Sequence, residues 1–270
     1  MGYFNNQTGY PTDILSTRAI IKRGNYALIP PNGLVRNVIP GFENCDVTIL
    51  STPKLGATFV DYLVTLHDCG RNTKGFGGEE IETFVYVIDG AITASADATD
   101  YPLTAGATDY PLTAGGYLYC PAGVTMRLEN ANGGQSSRLF LYKRRYQRIK
   151  GYEAHVVSNN VGNLEKIHYE GMSEVILQDL LPKDLGFDMN MHILSFAPGA
   201  SHGYIETHVQ EHGAYILSGA GVYNLDNEWM PVKQGDYIFM GAYVQQAGYA
   251  VGQETFSYIY SKDCNRDVEP

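Results

Sequence analysis

The sequence predicts an all-β protein built from two tandem copies of one barrel-like unit. Three observations carry that expectation. Short runs rich in β-branched and aromatic residues recur along the chain, bounded by Gly, Pro, Asn and Asp. Matching segments appear in the same order in each half. The 30 glycines and 21 tyrosines among 270 residues favour strands and tight turns over helices.

The strand-like runs are "ETFVYVI", "GYLYC" and "RLFLYK" in the first half, and "MNMHILSF", "AYILSG", "DYIFM" and "FSYIY" in the second. Many short strands with regular turn signals imply a sandwich or barrel. One stretch, "SEVILQDLLPKD" at 173–184, reads as a helix linking the halves.

The repeat is direct. "IETFVYVIDGAI" at 81–92 matches "QEHGAYILSGAG" at 210–221, "GGYLYCPAGV" at 115–124 matches "QGDYIFMGAYV" at 234–244, and "LFLYKRRY" at 139–146 matches "SYIYSKDC" at 257–264. Two domains follow, 1–150 and 151–270. The gap from Gly90 to Gly115 is nine residues longer than that from Gly219 to Gly235, and a tandem duplication accounts for it: "ATDYPLTAG" at 98–106 is repeated at 107–115. A surface hairpin accepts such an insertion at small entropic cost.

With 19 basic against 29 acidic residues the net charge is −10, which argues against nucleic acid or an anionic membrane as partner. The one basic cluster, Lys143, Arg144, Arg145, Arg148 and Lys150, reads as a solvated strand end. The start, "MGYFNNQTGYPTD", lacks the apolar core of a signal peptide, and no apolar run approaches the length of a membrane span. The four cysteines, Cys45, Cys69, Cys120 and Cys264, lie far apart without metal spacing and read as reduced core residues of a cytoplasmic protein.

The chemistry concentrates in "ETHVQEHGAYILSG" at 206–219. "HVQEH" fits the H-x-x-E-H pattern of a helical zinc peptidase, but Gly213 follows at once, Pro198 and Gly203 lie just upstream, and a strand-like run comes after. In extended chain Glu206, His208 and His212 share one parity, and a bend between 208 and 212 would bring them to a point. Three ligand-type side chains in seven positions favour a metal site over three unrelated polar residues.

These residues resemble the two-part cupin signature, G-x5-H-x-H-x3,4-E-x6-G followed by G-x5-P-x-G-x2-H-x3-N. In the second half Glu206 stands for the first His, His208 for the second, His212 for the Glu, and Gly219 closes the segment. Gly235 opens the next segment, and counting on from it puts Gln246 at the last ligand position. The first half keeps Gly90, Gly115, Pro121, Gly123 and Asn130, while its ligand positions read as Gly77, Glu79, Thr83 and Met126. The fold this implies is a bicupin, two tandem cupin barrels of double-stranded β-helix (jelly-roll) type, metal-free in the first half.

A bicupin with Glu-x-His-x3-His and a downstream Gln in its second half alone resembles one family, the (S)-ureidoglycine aminohydrolases of allantoin degradation. "MGYFNNQTGY", "PGFENCDVTILSTPKLGA" and "FDMNMHILSFAPGASHGYIETHVQEHGAYILSG" extend the likeness over nearly the whole chain; the duplication departs from the family pattern. The resemblance implies hydrolysis of (S)-ureidoglycine to ureidoglycolate and ammonia, with one Mn2+ held by Glu206, His208, His212 and Gln246. It also implies substrate contacts from Tyr258 and Lys262, which share a parity on the last strand, with Arg144 at the place equivalent to Lys262. Glu206 serves as general base and Lys262 grips the substrate carboxylate. Tyr223 is a third candidate that would serve equally as a packing aromatic, and His202 reads as a loop or outer residue. The expected partner is a small ureide, with copies of the chain associating as a homo-oligomer. Another metal-dependent cupin enzyme, a dioxygenase or isomerase, or a non-catalytic ureide- or metal-binding cupin, are the alternatives the same residues allow.

Overall fold

The computed structural model describes residues 18–98 and 108–262. The start of the chain before Arg18 lies outside these, as do Cys264 and all but the first residue of the copy at 98–106. Among the described residues every regular element is a strand or a short 3-10 turn, and no helix is long and apolar enough to cross a membrane.

Two compact units are formed. Of the described residues, the first comprises Leu34–Thr52 and those within Thr58–Asn163; the second comprises Arg18–Gly33, Pro53–Ala57 and those from Leu164 onward. In the first unit one antiparallel sheet runs in the order 157–160, 116–120, 81–89, 137–145, 59–72, 124–130, 91–98, 108–113. The long strand Phe59–Asn72 pairs with Ser137–Arg145 along its first part and with Val124–Asn130 only near its end, at Arg71. That bend folds the sheet over a core of Tyr62, Val64, Val85, Leu118, Met126, Leu139 and Leu141.

In the second unit an eight-stranded sheet has the order 20–22, 26–29, 237–240, 212–218, 256–262, 190–196, 175–179, 167–168, and faces a three-stranded sheet of 228–233, 220–225 and 246–251. Between them lie Leu194, Phe196, Ile216, Tyr223, Ile238, Phe256 and Tyr258. Alternation places these side chains inward, which is what strict period-2 patterning requires.

Several expectations are corrected. The stretch 173–184 contains the strand Val175–Asp179 rather than a helix: its register with Asn190–Phe196 outweighs the helix-like spacing, and Pro182 has no amide to carry a helix on. Of the three described cysteines only Cys120 is core; Cys45 is half-buried and Cys69 is exposed, with φ 57°. The basic cluster is not uniformly solvated, since Arg144 is buried and Lys143 sits against two aromatic rings. The second nonapeptide supplies the strand Thr108–Thr113, hairpinned with Ala91–Ala98.

Candidate metal centre and its cavity

Residues 202–211 form neither helix nor strand, which excludes the helical peptidase arrangement. Glu206 is fixed in this loop by a mutual pair of backbone hydrogen bonds with Gln246, at 2.9 and 3.0 Å. His212 opens the buried strand His212–Ser218, and Gln246 opens Gln246–Val251. The loop therefore returns the chain so that three side chains close in sequence and one 34 residues beyond them line one cavity: Glu206, His208, His212 and Gln246. Tyr169, Leu194, Tyr223, Met240, Tyr258, Tyr260 and Lys262 complete its wall.

The tautomers of both histidines follow from their backbone partners. His212 Nδ1 lies 2.8 Å from the Ser261 carbonyl and His208 Nδ1 lies 3.1 Å from the Gln210 carbonyl. A carbonyl only accepts, so each ring places its hydrogen on Nδ1 and a lone pair on Nε2. Those two Nε2 atoms face each other at 3.3 Å. Neither ring is cationic in this setting: burial pushes the pKa of both downward, with the Lys262 charge the next cause for His208 and the neighbouring His208 the next for His212. The Gln246 amide lies 2.9 Å from His208 Nε2. A half-turn of that amide replaces its NH2 with the carbonyl oxygen at the same point.

Two imidazole lone pairs aimed at each other with a carboxamide beside them form a cation-ready donor set, with the outer partners that fix ligand orientation already in place. The Glu206 carboxylate is met by two further side chains. Its Oε2 accepts from the Tyr169 hydroxyl at 3.3 Å, and its Oε1 lies 3.9 Å from His202 Nε2. No group of three His, Cys, Asp or Glu converges as a metal cluster among the described residues. The Glu206 pKa is raised by burial, against the opposing pull of the Lys262 ammonium.

Tyr258, Tyr260 and Lys262 project into the same cavity from alternate positions of Phe256–Lys262. Tyr223 joins them through a 3.3 Å hydroxyl–hydroxyl contact with Tyr258. Burial raises the pKa of all three tyrosines, so each is a neutral hydroxyl. Every site residue expected from the sequence thus reaches this cavity. Tyr169 escaped sequence reasoning because it comes from a short 3-10 turn with no periodicity. His192 packs against Tyr260 and Asp179.

Strand registers correct the equivalences in the first unit. Phe76 and Met126 share the mutual backbone pair that joins Glu206 and Gln246, so Phe76, not Gly77, stands at the Glu206 position. One more residue lies between Phe76 and Thr83 than between Glu206 and His212, which hid the match. Lys143 pairs with Thr83 and Leu141 with Val85, while Tyr260 pairs with Ala214; Lys143, not Arg144, is therefore the counterpart of Lys262. Its ammonium lies 5.5 Å from the ring centres of both Tyr62 and Phe76. A larger open groove lined by Pro121, Tyr146, Arg148, Tyr152 and His155 brings together no comparable donor set.

Residues 192–261 match the cupin domain family. Over 270 residues the chain is 69% identical to the (S)-ureidoglycine aminohydrolase of Escherichia coli (strain K12), covering 100% of both. It is 31% identical over 254 residues to the (S)-ureidoglycine aminohydrolase of Arabidopsis thaliana, covering 93% of this chain and 79% of that one. Among solved structures, the crystal structure of protein Ylba from E. coli aligns with a TM-score of 0.84 and 66% identity, over 97% of this chain and 100% of that one. Bacillus subtilis oxalate decarboxylase, a protein with Mn(II) centres, shares the fold at a TM-score of 0.67 and 9% identity, covering 92% of this chain and 79% of that one.

Proposed function

This chain belongs to the (S)-ureidoglycine aminohydrolases and is a hydrolase of (S)-ureidoglycine, and on that footing we propose that the reaction takes place in the cavity of the second unit, with one divalent ion held by Glu206, His208, His212 and Gln246. The observation that carries this placement is the pair of Nε2 lone pairs 3.3 Å apart, each fixed by a carbonyl on the far side of its ring. Two imidazoles, a carboxylate and an amide oxygen make a mixed, fairly hard donor set that suits Mn2+. When bound, such an ion supplies a template and a Lewis acid.

The substrate carbon carries an amine, a ureido nitrogen, a carboxylate and a hydrogen. Hydrolysis replaces the amine with hydroxyl: the C–N bond breaks, ammonia leaves with the proton it needs, and the oxygen of water forms the new C–O bond. The ureido nitrogen can push the amine out by sharing its electron pair with the carbon. Lys262 binds the carboxylate through a charge-assisted hydrogen bond, which is stronger than a neutral one. Tyr258 and Tyr223 supply neutral hydroxyls that hold the ureide and fix which face meets water. Glu206, its proton affinity raised by burial, takes a proton from water and returns it to the amine. With Glu206 the only anion among the four ligands, the loaded site keeps a net positive charge, which favours an anionic ureide.

The test uses protein stripped with chelator and reloaded with Mn2+. Freshly prepared (S)-ureidoglycine should release ammonia in step with metal content and give (S)-ureidoglycolate. Ammonia at the uncatalysed rate with every divalent ion tried would refute the placement.

A further inference from the structure

One buried polar atom beside the cavity has no hydrogen-bond partner: Nε2 of His202, whose side chain is 2% exposed. The Gly248 amide donates to the other nitrogen, Nδ1, at 2.7 Å. The ring is neutral, its pKa pushed down to about 4 by burial. Its hydrogen therefore sits on Nε2, the reverse of the tautomer at His208 and His212. That N–H faces Glu206 Oε1 at 3.9 Å, about 1 Å beyond hydrogen-bond length. Orphaned buried donors are rare, and one aimed at a carboxylate calls for an explanation.

The first unit supplies an internal control. Asn72 occupies the matching place, because Leu128 pairs with Ala94 as Gly248 pairs with Tyr223. Asn72 Oδ1 accepts the Leu128 amide at 2.6 Å, and its Nδ2 turns back to the Met126 carbonyl at 3.2 Å. Asparagine thus meets every local need of the backbone here. Histidine does the same at Gly248 and carries a second nitrogen outward, toward Glu206, only in the unit that has a carboxylate to meet.

We infer that His202 is a positioning residue whose Nε2–H takes up one oxygen of the Glu206 carboxylate and so sets the orientation in which the other oxygen serves the site. Tyr169 makes the opposing contact, at 3.3 Å. The inference rests on the reading of Glu206 as a ligand, and the experiment separates the two.

Three variants of the full chain are compared: His202→Asn, His202→Gln and Glu206→Gln. Each is measured for thermal midpoint without metal, Mn2+ affinity by calorimetric titration of the stripped protein, and kcat and KM for ammonia release. His202→Asn keeps the bond to Gly248, as Asn72 does in the first unit, and loses the outer donor. It should hold the metal-free midpoint within about 3 °C. Its Mn2+ dissociation constant should rise about tenfold or more and kcat fall comparably, the range seen for outer partners of ligands, with KM nearly unchanged. His202→Gln restores a donor at the reach of Nε2 and should recover affinity and kcat to within a few-fold, with a lower midpoint. If His202→Asn binds Mn2+ and turns over like the parent, or if His202→Gln does no better than His202→Asn, the inference falls. Unchanged Mn2+ affinity in Glu206→Gln would instead overturn the ligand reading; weakened affinity there alongside a silent His202→Asn would remove His202 alone.

Discussion

The two units run the same backbone scheme to different ends. Residues 76 and 126 in one, and 206 and 246 in the other, are tied by the same mutual pair of amide–carbonyl bonds. Around that tie the first unit places Phe76, Thr83 and Met126, and the second places Glu206, His212 and Gln246. In the first, apolar groups fill the space and Lys143 rests over aromatic faces; in the second, nitrogen and oxygen atoms converge and Lys262 lines an open cavity. The barrel therefore stands without the chemistry. What distinguishes a site from a plug is a handful of inward side chains on an unchanged ladder.

Paired substitutions break this comparison most sharply where the ligands are. His212→Ala should lower ammonia release by more than about a hundredfold, beyond the loss expected for an outer partner, and should strip the metal, while Thr83→Ala changes neither; activity and metal analysis on the same preparations decide it. The next pair exchanges the roles. Met126→Ala should destabilise the first unit by about 2–5 kcal/mol through a buried cavity and leave metal content alone, whereas Gln246→Ala should do the opposite, as denaturant unfolding and metal analysis would report. Lys262→Ala should raise KM about tenfold or more, the worth of a charged hydrogen bond, without loss of metal; Lys143→Ala should cost only about 1 kcal/mol of stability, the scale of a cation–π contact.

Acid sharpens the contrast further. A histidine whose pKa is lowered in the fold gives stability that is present above its unfolded value near 6.5 and is lost as pH falls toward the folded value, about 4 for His202. Metal-free protein should therefore lose about 2 kcal/mol at this residue between pH 6.5 and 5, a loss missing from His202→Asn when both are unfolded by denaturant at the two pH values. The smallest effect belongs to the duplication. Deleting residues 98–106 leaves the partner of Ala91–Ala98 unchanged in sequence, so stability should shift by less than about 1 kcal/mol and activity not at all.

Much of this was legible in the chain itself. Period-2 alternation and the repeat locate the strands, and parity alone groups Glu206, His208 and His212. Two kinds of information were not. A single inserted residue before Thr83, and register shifts at Arg138/Leu139 and Ile216/Ser218, displace the equivalences of Phe76 and Lys143 by one, and on a strand one residue is the difference between inside and outside. Contacts such as Tyr169 to Glu206 depend on where a loop returns, and no local pattern records that. The stretch 173–184 misled because its apolar spacing fits a helix as well as a strand, and only the partner strand decides.

The strand Phe256–Lys262 has a mechanical consequence for the reaction. Ser261 offers its carbonyl to His212 Nδ1 and its hydroxyl oxygen to the Gly213 amide, and the very next residue is Lys262. Adjacent links of one chain thus aim an imidazole and place an ammonium, so in the proposed site the spacing between a bound ion and the substrate's anchor would be set by a single peptide unit. Fraying at that end would disarm both together, and no drift of one against the other is available to the enzyme.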